Sequence, residues 1–187
     1  MENKQTLREK ILKLRKSQST AIKLKKDKKI ISKIARNSLY KSAKGILFFM
    51  PIHGEPDLTL LIKIALKTDK KVFLPRTDKE NNCLHIHQVK NLDELKIGAY
   101  NIKEPHHTCP KIDPKKIDLA FIPGVVFSKT CSRIGFGKGF YDRFLKQTKC
   151  HKIGLAYEFQ IVENMSCEVH DVPMDEIITE QKTIKNL

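Results

Sequence analysis

Short, continuous apolar runs alternate with helix-length segments in this chain of 187 residues, and this alternation restricts the fold more than any other feature of the sequence. The clearest apolar run, residues 46–50, ends at Pro51. A strand that is apolar throughout is typical of a parallel sheet that is covered on both faces. A helical segment separates this run from a second one at residues 72–74, so the sequence predicts a β-α-β unit.

Further runs continue the same alternation. Residues 118–122 and 152–156 are two more predicted strands, and residues 140–146 form a short predicted helix between them. We therefore predict a single α/β domain over residues 1–187, with three layers, in which helices cover both faces of an open, mostly parallel, Rossmann-like sheet. A chain of this length can bury the core of one such domain.

The amino-terminal part of the chain predicts two helices that precede the sheet. Leu7, Ile11 and Leu14 recur at spacings of four and three, which indicates an amphipathic helix over residues 4–16 with a narrow apolar stripe. Residues 17–20 supply helix-capping side chains, and a second helical pattern runs from there to about Lys41.

Positive charge is concentrated in these predicted helices. Residues 1–45 hold 15 lysines and arginines against three acids, a balance of +12 out of a net charge of +15 for the whole chain. A basic surface attracts polyanions, which include nucleic acids, nucleotides and ligands with several carboxylates. Lysine also serves simply to keep helix surfaces soluble, so the charge alone does not select a partner.

The cysteines and the apolar segments indicate a cytoplasmic protein. The five cysteines are odd in number, widely spaced and without a CxxC pair, which argues against a disulfide framework and a zinc knuckle. No apolar run approaches the roughly 18 residues that span a membrane, and the amino terminus has no apolar signal core. We expect reduced thiols and no membrane association.

The segment that carries chemistry is residues 121–143, FIPGVVFSKTCSRIGFGKGFYDR. Alternating Gly135, Gly137 and Gly139 let the backbone approach a ligand closely, and their N–H groups can cradle a phosphate beside Arg133 and Lys138. The segment lacks the GK[ST] ending of a Walker loop, and it lies far from the first strand, where a dinucleotide fingerprint begins.

The string RIGFGKGFYDR, preceded by FIPGVVF, resembles the signature of the 5-formyltetrahydrofolate cyclo-ligase family. GLAYEFQ at residues 154–160 and HDVPMDEIITE at residues 170–180 match further family motifs in the expected order, so the resemblance covers essentially the full length. It implies that the chain uses ATP and Mg²⁺ to convert 5-formyltetrahydrofolate into 5,10-methenyltetrahydrofolate, with release of ADP and phosphate.

The resemblance also implies a nucleotide site and a metal site. Lys4 and Arg8 on the first helix would contact ATP. The loop would supply the other nucleotide contacts, which are Arg133, Ile134, Gly135, Phe136, Gly137, Lys138, Gly139, Phe140 and Tyr141. Asp142 and Asp171 would hold Mg²⁺ through hard carboxylate oxygens, although Asp142 is alternatively a carboxylate stabilised by the start of its helix.

On the substrate side, the resemblance places the folate near Met50 and Glu55, with Phe140 and Tyr141 between the two substrates. A carboxylate can accept hydrogen bonds from the edge of a pterin, whereas Glu55 is alternatively an exposed loop acid before Pro56. Phe140 stands where the family often has tyrosine, so a hydroxyl is missing there while stacking is retained.

The implied reaction begins when the formyl oxygen attacks the γ-phosphorus, and ends when N10 closes the ring and phosphate leaves. Lys138, Arg133 and Tyr141 are the predicted catalytic residues, because positioning and charge neutralisation are what phosphoryl transfer requires of a protein. The predicted partners are ATP and 5-formyltetrahydrofolate, with or without a polyglutamate tail, and the predicted state is a monomer.

Two alternatives remain at this stage. The basic helices could belong to a nucleic-acid-binding module, and the scaffold could serve a different ATP-dependent ligase or kinase. His85 and His87 would share one face of a predicted strand, but no third ligand accompanies them at a telling spacing, so we expect no metal site there.

Overall fold

The computed structural model describes residues 3–166 and 168–186. The helices of these residues are α1 (Lys4–Ser17), α2 (Thr20–Arg36), α3 (Ser38–Ser42), α4 (Thr59–Ala65) and α5 (Phe140–Leu145). The strands are β1 (Gly45–Leu47), β2 (Lys71–Asp78), β3 (Cys83–Val89), β4 (Leu95–Ile97), β5 (Lys103–Pro105), β6 (Leu119–Pro123), β7 (Val126–Ser128), β8 (Arg133–Ile134), β9 (His151–Leu155), β10 (Ile161–Val162), β11 (Glu176–Ile178) and β12 (Thr183–Lys185).

The central sheet has the strand order β12-β11-β9-β6-β1-β2-β3. Its interior strands, from β11 to β2, all pair in parallel, and the edge strands β12 and β3 pair antiparallel to their neighbours. The register aligns Ile46 with Val72 on one side of β1 and with Leu119 on the other. The prediction of an open, mostly parallel sheet is confirmed.

The two faces of the sheet are covered by different layers. Alternate strand residues such as Ile46 and Phe121 pack in one apolar cluster with Ile34 of α2 and with α3 and α4. The residues between them, such as Leu47, pack in a second cluster with Phe144 of α5. Because successive strand side chains point to opposite faces, these clusters lie on opposite sides of the sheet, and the three-layer prediction is confirmed.

A third, smaller cluster docks α1 against the small sheet β10-β7-β8. It includes Leu7 and Ile11 of α1 together with Val126 and Ile134. The amino-terminal helix therefore packs beside the segment that contains the glycines.

Three predicted boundaries were wrong. The first strand, expected over residues 46–50, ends at Leu47. The second helix does not continue to Lys41, because Asn37 ends α2 and its side chain then accepts hydrogen bonds from the Leu39 and Tyr40 N–H groups that begin α3. The second strand does not stop at Pro75 but continues to Asp78. The Phe73 carbonyl accepts a hydrogen bond from the Phe48 N–H, so the backbone of Phe73 faces β1. Pro75 is two residues further along the strand, and its nitrogen therefore faces the same side. Because β1 has already ended there, the missing N–H of Pro75 costs no hydrogen bond of the sheet.

The order of the strands places a crevice beside β1. The chain leaves β1 for β2 on one side, whereas β6 pairs with β1 on the other. In open α/β sheets, ligands bind at such a switch point, beyond the carboxyl ends of the strands. Among the described residues, no helix is both long and apolar enough to cross a membrane.

Candidate active site

A cavity of about 280 Å³ opens at this switch point. Segments that follow β1 and β6 form one side of it, and the glycine loop, residues 133–141, forms the other. Ten of the predicted site residues line the cavity: Met50, Glu55, Arg133, Gly135, Phe136, Lys138, Gly139, Phe140, Tyr141 and Asp142. The fold thus brings the predicted substrate and nucleotide residues into one space.

The glycine loop needs glycine at two of its three alternating positions. Gly137 has a φ of 93° and Gly139 a φ of 65°, which side chains disfavour. Arg143 of α5 holds the loop, since its Nη2 donates to the Lys138 carbonyl at 2.6 Å and its Nε donates to the Asn82 carbonyl at 2.7 Å. The loop is therefore fixed to the turn between β2 and β3.

Helix α1 brings cations to the loop. The Nε of Arg8 donates to the Gly135 carbonyl at 2.8 Å, and the Nζ of Lys4 lies 2.9 Å from a carboxylate oxygen of Asp171. The side chain of Ile134 is buried in the cluster with Leu7, so only its backbone is placed to contact a nucleotide. Lys4 and Arg8 lie beside the cavity and are not part of its lining.

Asp142 and Asp171, the predicted metal ligands, are each engaged with a basic group, and Asp142 contacts the backbone of the residue after Asp171. An oxygen of Asp142 lies 2.7 Å from the guanidinium of Arg133 and also accepts from the Val172 N–H at 3.4 Å. Burial raises the pKa of Asp171, but the Glu168 N–H and Lys4 more than offset this and hold it below its usual value. Both carboxylates are therefore hard oxygen donors, as a divalent cation such as Mg²⁺ requires.

Glu55 is a buried carboxylate and not an exposed loop acid, so the alternative interpretation of this residue was wrong. Its side chain is 2% exposed, and it follows a tight turn in which His53 and Gly54 have positive φ. The Ile52 N–H donates to the carboxylate at 3.1 Å. Burial raises the pKa of Glu55 to about 7, and the charge of Arg15 opposes this rise.

Arg15 is a site residue that the sequence analysis missed. The predicted apolar stripe ended at Leu14, but Leu14 is 42% exposed whereas Arg15 is 3% exposed. The Nη1 of Arg15 lies 3.8 Å from Glu55, and its Nη2 donates to the Gly124 carbonyl. Arg15 is four residues after Ile11 and so shares its helix face, but a charged residue is not normally assigned to a buried face.

The segment GLAYEFQ supports the floor of the cavity. The hydroxyl of Tyr157 donates to Asp27 at 2.6 Å and lies 3.4 Å from the Glu55 carbonyl. The amide of Gln160 donates to the carbonyls of Gly124 and Val125 at 3.1 and 2.9 Å. The sequence alone assigns no role to these side chains, because their partners are distant along the chain.

Aromatic and thioether side chains cover the remaining wall. The ring of Phe140 lies 5.6 Å from the Arg143 guanidinium, and the ring of Tyr141 lies 5.7 Å from that of Arg133. Burial raises the pKa of Tyr141, so its hydroxyl stays protonated at neutral pH and can donate a hydrogen bond. Met50 is half-buried beside them.

The cysteines within the described ranges form no disulfide with one another, and Cys167 lies outside these ranges. Burial raises the pKa of Cys131, next to the glycine loop, so its thiol is not activated. No metal site was expected at His85 and His87, and the structure places Asp78 and Cys83, but not His87, beside His85. His87 is occupied by a 2.7 Å hydrogen bond with the Cys109 carbonyl.

Comparisons with known proteins identify a family for this chain. A family model described as the 5-formyltetrahydrofolate cyclo-ligase family matches residues 1–180. The chain is 30% identical over 184 residues to the 5-formyltetrahydrofolate cyclo-ligase of Haemophilus influenzae, and the match covers 95% of this chain and 97% of the relative. It is 27% identical over 163 residues to the enzyme of the same name from Mus musculus, covering 81% of this chain and 80% of the relative.

Solved structures give the same result. The 5,10-methenyltetrahydrofolate synthetase of Aquifex aeolicus superimposes with a TM-score of 0.88 at 35% identity, covering 98% of this chain and 92% of that chain. The 5,10-methenyltetrahydrofolate synthetase of Mycoplasma pneumoniae superimposes with a TM-score of 0.79 at 28% identity, covering 96% and 99%. The chain therefore belongs to the 5-formyltetrahydrofolate cyclo-ligase family, whose enzymes use ATP and a divalent metal ion to convert 5-formyltetrahydrofolate into 5,10-methenyltetrahydrofolate.

Proposed function

We propose that this chain converts 5-formyltetrahydrofolate into 5,10-methenyltetrahydrofolate in the cavity between β1 and the glycine loop, with Mg²⁺ as the divalent ion. One observation carries the assignment of the site: a buried carboxylate, Glu55, and a glycine loop rich in cations line the same cavity. A folate and a nucleoside triphosphate can therefore approach each other there, with the formyl group and the γ-phosphate both shielded from bulk water.

On the folate side, the ionised Glu55 accepts hydrogen bonds from the donors at the edge of the pterin. Met50 and the rings of Phe140 and Tyr141 cover the flat face of the ligand, since all three side chains line the cavity. The charge of Arg15 lowers the pKa of Glu55 and opposes the effect of burial, so a larger fraction of the carboxylate is ionised at neutral pH. This arrangement holds N5 and its formyl group toward the glycine loop.

On the nucleotide side, the N–H groups of the glycine loop bind phosphate oxygens, and Lys138 and Arg133 add full charges. Lys4 and Arg8 extend this positive surface from α1. Asp142 and Asp171 would hold Mg²⁺, which supplies charge neutralisation at the phosphates when bound. Arg133 lies 2.7 Å from one oxygen of Asp142, and this contact fixes the orientation of the carboxylate.

In the first chemical step, the formyl oxygen attacks the γ-phosphorus of ATP, and the bond to ADP breaks. Lys138 and Arg133 stabilise the charge on the transferred phosphoryl group. In the second step, N10 attacks the activated formyl carbon, the ring closes as phosphate leaves, and the departing phosphate takes up the proton that N10 loses. Tyr141 contributes a hydrogen-bond donor beside the reacting groups, because its raised pKa excludes a role as a base at neutral pH.

We further propose that the chain works as a monomer of one domain in the cytoplasm. Unpaired thiols at Cys83, Cys109, Cys131 and Cys150 support a reducing compartment. The net charge of +15 supports binding of folates that carry a polyglutamate tail, since each added glutamate adds a negative charge.

The test is the near-ultraviolet absorbance of the purified protein with 5-formyltetrahydrofolate and Mg²⁺, before and after addition of ATP. We expect an ATP-dependent rise from the methenyl product, and its loss in a Lys138→Ala variant. Lys146→Ala is the matched control, because Lys146 is an exposed lysine that follows α5 and does not line the cavity. An unchanged spectrum with intact folate and nucleotide would contradict the proposed substrate.

A further inference from the structure

Three potential metal-ligating side chains meet at the end of the hairpin formed by β2 and β3. Asp78 is the cross-strand partner of Cys83, so their side chains lie on the same face of the hairpin. His85 is two residues further along β3 and shares this face, because strand side chains alternate. Donor atoms of the three residues all lie within 4.8 Å of one another.

The separations between these atoms match those around a tetrahedral transition-metal ion. The Nε2 of His85 lies 3.3 Å from Oδ2 of Asp78 and 3.8 Å from Sγ of Cys83. Metal–ligand bonds of about 2.0 Å to nitrogen or oxygen and about 2.3 Å to sulfur, at near-tetrahedral angles, place such ligand atoms roughly 3.3 to 3.5 Å apart, so the Cys83 thiol would move by about 0.3 Å. An ion therefore fits among the three side chains with little rearrangement.

The hairpin turn orients the carboxylate of this trio. The Asn81 N–H donates to Oδ1 of Asp78 at 3.0 Å, and the Asn81 side-chain amide donates to Oδ2 at 2.8 Å. Hydrogen bonds of this kind fix the orientation of metal-ligating carboxylates. The side chains of Asp78 and His85 are 21% and 34% exposed, so an ion can enter from solvent.

We propose that Asp78, Cys83 and His85 form a binding site for a transition-metal ion of the zinc class, with water as the remaining ligand. A set of one sulfur, one nitrogen and one oxygen favours Zn²⁺ or Co²⁺ over Mg²⁺, which prefers oxygen ligands. Binding displaces the protons of the Cys83 thiol and of the His85 Nε2. The site is separate from Asp142 and Asp171, and the proposal does not depend on the proposed function.

Metal binding at this hairpin would also restrain the glycine loop. The Asn82 carbonyl, between Asp78 and Cys83, accepts the 2.7 Å hydrogen bond from Arg143, which in turn holds the Lys138 carbonyl. An ion that fixes the turn therefore restrains the loop through these contacts. A rise in melting temperature on metal addition is the expected consequence.

The test uses the full chain, treated with chelator and then titrated with Co²⁺. A thiolate-to-cobalt charge-transfer band in the near ultraviolet should appear, with one ion bound per chain, and Zn²⁺ but not excess Mg²⁺ should remove it. Cys83→Ser should abolish the band, and His85→Ala and Asp78→Asn should each weaken binding at least about tenfold. His107→Ala, which replaces an exposed histidine outside the trio, should leave binding unchanged.

Circular dichroism of each variant establishes that its fold is intact, since all three residues lie near a surface turn. A wild-type protein without the band would overturn the proposal. A band that survives in the folded Cys83→Ser variant would also overturn it, because the thiolate would then come from elsewhere.

Discussion

At the scale of single residues, the buried pair of Arg15 and Glu55 explains how a carboxylate can lie at the closed end of the cavity. Glu55 is 2% exposed; its carboxylate accepts from the Ile52 N–H and lies near the Arg15 guanidinium. Arg15 has atoms, Nε and Nη1, without a hydrogen-bond partner among the described groups. The pair therefore retains unused hydrogen-bonding capacity in the part of the site that we assign to folate.

Replacing Glu55 with Gln should change the KM for folate but not the KM for ATP. The variant should raise the KM for 5-formyltetrahydrofolate at least about tenfold and leave the KM for ATP nearly unchanged, since a charged acceptor contributes more than a neutral one. Steady-state kinetics with each substrate varied in turn gives both constants. Glu163→Gln is the control, because Glu163 is 76% exposed and pairs with Lys129 at the surface. An unchanged folate KM would remove Glu55 from the site.

The pKa of Glu55 predicts a pH dependence of folate use. Burial raises this pKa to about 7, so the carboxylate is protonated below that pH and cannot accept the hydrogen bonds that we assign to it. The kcat/KM for folate should therefore rise through pH 7 and level off above it, and Glu55→Gln should lack this inflection.

Replacing Arg15 with Met tests whether Arg15 positions and ionises Glu55. The charge of Arg15 lowers the pKa of Glu55, so its removal should move the inflection in kcat/KM upward by about one pH unit. Arg15→Lys retains a positive charge and should move it less. A purely structural role would lower the melting temperature of both variants without shifting the pH profile, and that result would exclude the electrostatic role.

At the scale of elements, the glycine loop was predictable and its support was not. Alternating glycines beside Arg133 and Lys138 carry a local signal in the sequence, and the loop lies where that signal places it. Arg8 holds the loop from α1, and Arg15 and Tyr157 support the opposite wall of the cavity. Their partners are distant along the chain, and no local pattern reveals such partners.

Element boundaries were wrong for a related reason. Asn37 and Pro75 are each compatible with more than one local structure, and their tertiary contacts decide which one forms. The side chain of Asn37 caps a new helix, and Pro75 faces the end of a shorter neighbouring strand. The type and order of the elements follow from apolar periodicity and were predicted correctly, whereas their ends depend on tertiary partners.

Gly137→Ala should weaken ATP binding through the backbone alone. A Cβ at this position would meet atoms of Arg8 at 3.7 and 3.8 Å, which are ordinary contacts, so space is available and the φ of 93° is the obstacle. A strain of about 1 kcal/mol corresponds to roughly a fivefold rise in the KM for ATP. Gly137→Asn should retain more affinity, because asparagine tolerates positive φ better than alanine. Equal values for the two variants would contradict this account.

At the scale of the whole molecule, residues far apart in the sequence meet at the site. Lys4 contacts Asp171, 167 positions away, and Arg8 contacts Gly135, 127 positions away. Because such contacts are set by the fold, sequence periodicity alone does not predict them, and the resemblance to a family supplied these residues. We expect removal of α1 to abolish ATP use, since Lys4, Arg8 and Arg15 are all lost with it.

The distribution of charge over the molecule distinguishes an enzyme from a nucleic-acid-binding module. Part of the positive charge of the first two helices is engaged within the fold: Lys4 pairs with Asp171, Lys23 with Asp27, and Lys26 with Glu180. Lysines used in this way cannot also release counterions from a phosphate backbone, so the net charge overstates the affinity for nucleic acid.

We therefore expect no complex with a single-stranded oligonucleotide in a gel-shift assay at about 0.15 M salt, where charges beyond roughly 8 Å are screened. Replacing the exposed Lys25, Lys28 and Lys29 of α2 with Glu should leave the ATP-dependent formation of methenyl product intact. A complex that forms at this salt, persists in Lys138→Ala and disappears in the triple variant would assign nucleic-acid binding to α2. The two activities would then belong to different surfaces of one molecule, because α2 packs against the face of the sheet opposite to α5, which the glycine loop precedes.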